Sequence, residues 1–151
     1  METAHIYEVD INWVDDRIGR MSSDELDDEL QVATPPQFNK GIPRIWSPEH
    51  LFTAAVNSCL MTTFLAIAEN SKLEFDSFNS KAVGKLEIVE GKYQMSEVTL
   101  MPQLKIIREE DREKAMRVLQ KSEAACLISN SIKSKIIFIP LITVEVGSKA
   151  A

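Results

Sequence analysis

The sequence predicts an α+β fold, and three observations carry the prediction. Near the start of the chain Tyr7, Val9, Ile11 and Trp13 alternate with Glu8, Asp10 and Asn12, the period of a strand with one buried face. Leu51 to Ala68 then runs 18 residues without a charge, behind a helix-start signal. Strand patterns return between Phe75 and Ile107, and an amphipathic helix pattern separates them from a last strand. The order is strands, buried helix, hairpin, amphipathic helix, strand. Elements segregated in this way belong to α+β rather than to alternating α/β architectures.

Taken in order, the first strand is followed by a turn carrying Arg17 and Arg20, an acidic stretch from Ser23 to Glu29, and a short apolar-polar run to Ala33. Thr34-Pro35-Pro36 through Pro43 reads as a loop, because proline fixes the backbone and lacks a donor. Ser47-Pro48-Glu49 then opens a helix with three agreeing signals: a capping serine, a proline at the first helical position, and an acid at the positive end of the dipole. The predicted helix runs from Pro48 to about Asn70. Its apolar residues cover nearly the whole circumference, so it should be enclosed on all sides. Val83, Leu86, Ile88 and Val89 lead to Gly91-Lys92, which suits a tight hairpin turn. Val98, Leu100, Leu104 and Ile106 form the return strand, with Pro102 expected at an edge or bulge. Glu109-Glu110-Asp111 begins the second helix, whose inner face is Ala115, Val118, Leu119, Ser122 and Ala125. Ser129 to Ser134 closes it, and Ile136 to Val146 is the final strand.

No repeat and no Gly/Ser/Pro-rich linker divides the chain, which predicts one domain over residues 1–151. A composition of 44% hydrophobic and 26% charged residues excludes disordered and low-complexity classes. A net charge of -6 disfavours nucleic acid and anionic membranes as partners. The opening Met1-Glu2-Thr3-Ala4-His5 has no basic or apolar leader region, so no secretory signal is expected. The uncharged stretch contains Thr53, Asn57, Ser58, Thr62 and Thr63 and would span only about 27 Å as a helix. A buried helix of a soluble, cytoplasmic protein accounts for it better than a membrane span. One chain of 151 residues has little sheet with which to wrap such a helix. A homodimer, two sheets around two central helices, resolves the difficulty.

Two cysteines, Cys59 and Cys126, are the candidate chemical groups. Free cysteine ordinarily packs as a small hydrophobe, so position alone favours an inert role for both. They lie 67 residues apart, which excludes a CxxC motif. For chemistry, one must be a thiolate, and an ordinary thiol with pKa about 8.5 is only a few per cent ionised near neutrality. Cys59 is too far along its helix to use the helix dipole and needs a cation brought by tertiary structure. Arg17, Arg20 and Arg44 are the candidates, each ordinarily plain surface charge. Glu49 precedes Cys59 by ten residues, about 15 Å along the helix and roughly 80° around it. If both serve one site, Glu49 must come from a partner subunit; otherwise it is only a first-turn acid. His5 and His50 stand at no metal-ligand spacing with the cysteines, and no phosphate loop or G-x-S-x-G motif is present.

The run Ser47-Pro48-Glu49-His50-Leu51-Phe52-Thr53-Ala54-Ala55-Val56-Asn57-Ser58-Cys59 resembles the Pro-Glu helix start and first cysteine motif of the OsmC/Ohr family. Glu123-Ala124-Ala125-Cys126-Leu127-Ile128-Ser129-Asn130-Ser131 resembles its second cysteine motif, and Asp16-Arg17-Ile18-Gly19 the segment that carries its arginine. The likeness extends in order over nearly the whole chain. Cys-Leu-Ile-Ser at the second motif, where typical Ohr members have Cys-Pro-Tyr-Ser, is similar to the broader OsmC-like branch. The resemblance implies an OsmC-like fold in an intertwined homodimer, with a long buried central helix wrapped by antiparallel sheet and two sites at the interface. It also implies a thiol-dependent peroxidase for organic hydroperoxides, with Cys59 peroxidatic, Cys126 resolving, and Arg17, rather than Arg20, acting with Glu49 on the thiolate. Arg17 would stabilise and orient, and Glu49 would hold it by a charge-assisted pair. An external dithiol would close the cycle, with no metal or other cofactor. Two alternatives stand beside it: a stress-associated or ligand-binding protein on the same fold with little turnover, and a hot-dog-like thioesterase with Glu49 as base and both cysteines inert.

Overall fold

A computed structural model describes residues 3–145. The chain separates into two compact units, one ending at Leu51 and the other beginning at Phe52.

The first unit is a three-stranded antiparallel sheet of β1 (Asp10–Asp15), β2 (Ile18–Ser22) and β3 (Leu30–Ala33), in that order. The β1–β2 turn is built around a register shift between Trp13 and Asp15 and a left-handed Asp16 at φ 49°. Aspartate tolerates that conformation, and the Trp13 indole Nε1 donates to the Asp16 carbonyl at 3.0 Å. Arg17 therefore sits in the turn, as expected, but Arg20 does not. Arg20 is on β2, opposite Asn12 and Gln31, because the turn is tighter than the sequence suggested and β2 begins at Ile18. The expected buried face of the first strand is a second difference. Among the described residues β1 pairs only with β2, and Ile11 and Trp13 are 62% and 78% exposed within this chain.

Residues 34–43 make the expected loop, closed by Ile42 N–H donating to the Thr34 carbonyl at 2.8 Å. Gly41 is required there, since a Cβ would collide with the Pro35 carbonyl. Helix α1 (Pro48–Asn70) has the predicted bounds, and its capping signal is realised: the Ser47 Oγ accepts the His50 N–H at 3.1 Å.

In the second unit α1 continues beside a hairpin of β4 (Phe75–Val89) and β5 (Lys92–Ile106). The hairpin turn is Glu90-Gly91, one residue earlier than predicted, with φ 51° and 82°. Two consecutive left-handed residues are what the twist of such a turn demands. Beyond the hairpin a short 3-10 turn at Glu109–Asp111 leads into α2 (Arg112–Ala125), of which Ala115, Val118, Leu119 and Ser122 are buried and Ala125 is exposed. The last strand is broken into β6 (Lys135–Phe138) and β7 (Leu141–Val144), both parallel to β5 along one edge; Val146 lies outside the described residues. The break explains Pro102. It is buried in the central strand rather than at an edge, between the segment of β5 that pairs β6 and the segment that pairs β7. A residue without an N–H fits where the neighbouring strand is interrupted.

The core lies between this sheet and the helices. Phe64 and Ala68 of α1 meet Ala115, Val118 and Leu119 of α2 over Leu104 and Ile106 of β5, while Val56 and Leu60 pack on Val98 and Leu100. Phe64 stacks on Phe78 at 4.7 Å between ring centroids. Burying one such side chain stabilises the fold by about 1.5–3 kcal/mol. The expectation that α1 is enclosed all round is not met within one chain. Its buried residues are Val56, Cys59, Leu60, Phe64 and Ala68, whereas Met61 and Leu65 are exposed. By length and composition alone α1 also suits a membrane span.

Candidate functional site

The six residues carrying the sequence-level chemistry fall into local groups. In the first unit, Arg17 and Glu49 line one hollow of about 780 Å³, Arg17 from the β1–β2 turn and Glu49 from the first turn of α1. The rest of the lining is largely apolar, with Trp13 and Ile18 from the sheet and Pro35 and Phe38 from the loop. The Arg17 carbonyl accepts the Thr34 N–H at 3.4 Å, which ties the turn to that loop. Arg20 and Arg44 do not line the hollow. Arg20 instead directs its Nε to Glu29 at 3.7 Å in an exposed pair.

In the second unit the structure brings Cys59 and Cys126 together. Both are buried free thiols, and their side chains are close enough to influence each other's ionisation. Cys59 lies mid-way along α1; Cys126 follows the last residue of α2, in extended conformation at φ -65° and ψ 111°. Cys126 is the first residue of a single helical turn, closed by Asn130 N–H donating to its carbonyl at 3.1 Å. The turn leaves its first amides unpaired within the backbone, and these are directed at sulfur. Burial pushes the Cys59 thiol up, but the Cys126 thiol, the Ile128 N–H, the Thr63 hydroxyl and the Leu127 N–H together outweigh it and hold Cys59 below the ordinary thiol value. The Thr63 Oγ1 stands 3.8 Å from the Cys59 Sγ. Cys126 moves the other way. Burial raises it, Ser129 opposes that through its side chain and N–H, and the neighbouring Cys59 raises it further. The pair therefore ionises at Cys59 first. A thiolate with an adjacent thiol can attack an electrophile and then be captured as a disulfide.

Four contributors were not anticipated from sequence. Thr63 follows Cys59 by four residues, the spacing of one helix face, and was legible in principle. The Leu127 and Ile128 amides and Ser129 depend on how the chain turns after α2, which no side-chain pattern announces. Among the described residues no group of three His, Cys, Asp or Glu side chains is placed to hold a metal ion.

Two helices with a mixed sheet, together with a three-stranded antiparallel sheet, are the elements of an OsmC-like α+β fold. The chain belongs to the OsmC-like family, whose sequence profile matches residues 41–139. YmaD of Bacillus subtilis, an uncharacterised protein, is 22% identical over 141 residues, covering 90% of this chain and 91% of that protein. An OsmC-like protein of unknown function from Vibrio cholerae superposes with a TM-score of 0.82 at 20% identity, over 91% of this chain and 100% of the other. An organic hydroperoxide resistance protein from Elizabethkingia anophelis gives a TM-score of 0.75, also at 20% identity, over 96% of this chain and 100% of its own. At these identities the likeness is one of fold.

Proposed function

We propose that this chain is a thiol-dependent peroxidase that reduces organic hydroperoxides, with Cys59 peroxidatic and Cys126 resolving. The observation that carries the reading is the contact between two buried thiols whose ionisation is pushed in opposite directions, Cys59 down and Cys126 up. The Cys59 thiolate attacks the distal oxygen of the hydroperoxide. The O–O bond breaks, an S–O bond forms, and the alkoxide takes up a proton and leaves as alcohol. The Cys126 thiol, losing its proton, attacks the sulfenic sulfur; the S–S bond forms and hydroxide leaves as water. An external dithiol then reduces the disulfide by exchange and is itself oxidised.

Arg17 and Glu49 belong to this reading as the pair that stabilises and orients the thiolate and the peroxide. Helix geometry separates Glu49 from Cys59 of the same chain by about 15 Å, so a shared site takes Glu49 from a second copy in a homodimer. The apolar lining beside Arg17 and Glu49 suits the organic part of the substrate. Cytoplasmic residence, where both thiols stay reduced between turnovers, fits the same cycle.

Treating the reduced protein with one equivalent of cumene hydroperoxide tests the proposal. Mass spectrometry should then find a Cys59–Cys126 disulfide and one equivalent of alcohol. Two free thiols together with hydrolysis of an acyl-CoA would instead establish the thioesterase reading, and two free thiols without hydrolysis a binding role.

A further inference from the structure

Ser129 is the one described residue beside the cysteine pair whose polar side chain is sealed from solvent without a hydrogen bond of regular geometry. The residue is 9% exposed, and a buried hydroxyl left without a good partner is destabilising. Such a group calls for an explanation, and a role in a redox cycle is one that the neighbouring thiols offer. Its place in the chain says what that is. Ser129 stands three residues after Cys126, in the helical turn that Cys126 opens. In that geometry the side chain of the opening residue faces the backbone N–H of the third residue after it. Cys126 takes the place that a capping serine or aspartate would occupy, and its sulfur receives the Ser129 N–H. The Ser129 hydroxyl lies near the same sulfur without making a regular hydrogen bond to it. The Leu127 and Ile128 amides of the same turn go to Cys59 instead. One turn of backbone therefore serves both sulfurs, with Ser129 assigned to Cys126.

We infer that Ser129 is a positioning residue for the resolving step: its buried hydroxyl donates to the Cys126 sulfur as that thiol ionises to attack the oxidised Cys59. The inference rests on the peroxidase reading above and names a residue which that reading does not use. When the reduced pair ionises, the negative charge falls on Cys59, and Cys126 is the protonated donor to it. Once the peroxide has converted Cys59 to a neutral sulfenic acid, that charge is gone, and Cys126 must give up its own proton in a dry site. The thiolate then formed needs a donor, and the hydroxyl lacking a regular bond in the reduced state supplies it. The proton from Cys126 leaves with the hydroxide as water, so Ser129 donates a hydrogen bond throughout and transfers nothing.

The test separates the two chemical steps in Ser129→Ala and Ser129→Thr. Rapid mixing with cumene hydroperoxide, quenched with a sulfenic-acid trap, follows loss of the Cys59 thiol and then appearance of the disulfide as a function of pH. In Ser129→Ala the first step should keep its rate. The second should have its pH midpoint raised by about one unit and run about tenfold slower near neutrality, the size of one hydrogen bond to a charged sulfur. Under excess peroxide the stalled sulfenic acid should go on to sulfinic acid at Cys59. Ser129→Thr, which keeps the hydroxyl, should restore both the midpoint and the rate. Disulfide formation in Ser129→Ala at the parent rate and midpoint would overturn the inference. So would a Ser129→Thr protein as slow as Ser129→Ala, which would make the role one of packing. If the unsubstituted protein forms no disulfide at all, the peroxidase reading fails first, and this outcome is distinct from the other two.

Discussion

Two sulfurs close enough to influence each other's ionisation share their protons, and what decides which one ionises is the number of donors aimed at each. Cys59 has four: a thiol, a hydroxyl and two amides. Cys126 has the Ser129 groups and must also bear its neighbour's charge. The difference is chemical asymmetry obtained from two identical side chains. At the same scale the two arginines near the start of the chain separate. Arg17 shares an apolar hollow with Glu49, while Arg20 points to Glu29 from an exposed strand position. Arg17→Ala should therefore slow hydroperoxide consumption by a factor on the order of 10–100, the range for losing a charged hydrogen-bonding group at a reacting centre. Arg20→Ala should stay within about twofold, since exposed ion pairs contribute little. Steady-state peroxide removal measures both, and the reverse ranking would move the functional arginine to β2.

At the scale of elements, the helix bounds were legible because they rest on local signals. Ser47, Pro48 and Glu49 act within one turn of each other, and the observed cap is the one they predict. The strands were less so. The hairpin turn fell one residue early because Glu90 accepts a positive φ that the sequence pattern assigned to glycine alone. The break between β6 and β7, where one strand was expected over Ile136–Val146, does have a local signal: Pro140 lacks an N–H and stands between the two. Close packing of α1 on the hairpin, by contrast, has no local signal. A Cβ at Gly84 of β4 would collide with the Thr53 hydroxyl of α1 and crowd Met95. Gly84→Ala should lower stability by about 1–3 kcal/mol, as overpacking does, and Thr53→Ala in the same chain should recover part of it. Thermal unfolding of the two single variants and the double variant reads the coupling directly; additive losses would mean that the helix moves away freely.

At the scale of the whole molecule, several large apolar side chains of the described residues stand uncovered in one chain. Among them are the Met61 and Leu65 side of α1 and the Ile11 and Trp13 face of β1. Exposed apolar surface of this extent ordinarily marks association. The sequence argument for a homodimer came from the same helix, whose apolar circumference exceeds what one sheet covers. Light scattering during size-exclusion chromatography should give a mass of about twice that of the chain, and Leu65→Glu should lower it toward the single-chain value. A monomeric mass for the unsubstituted protein would remove the basis for supplying Glu49 from a second copy.

The sequence by itself determined the α+β class, the bounds of α1 and the inner face of α2 apart from Ala125, and its motifs picked out Cys59, Cys126, Arg17 and Glu49 as residues to test. Each of those rests on residues close together in the chain, where capping, periodicity and motif spacing act. Only the tertiary structure decided that the two cysteines touch, that one turn of backbone sends two amides to Cys59 and one to Cys126, and that Ser129 is sealed against that pair. The physical reason is that ionisation of a buried thiol depends on the donors around it. Those donors are backbone groups that every sequence possesses and only a fold can aim.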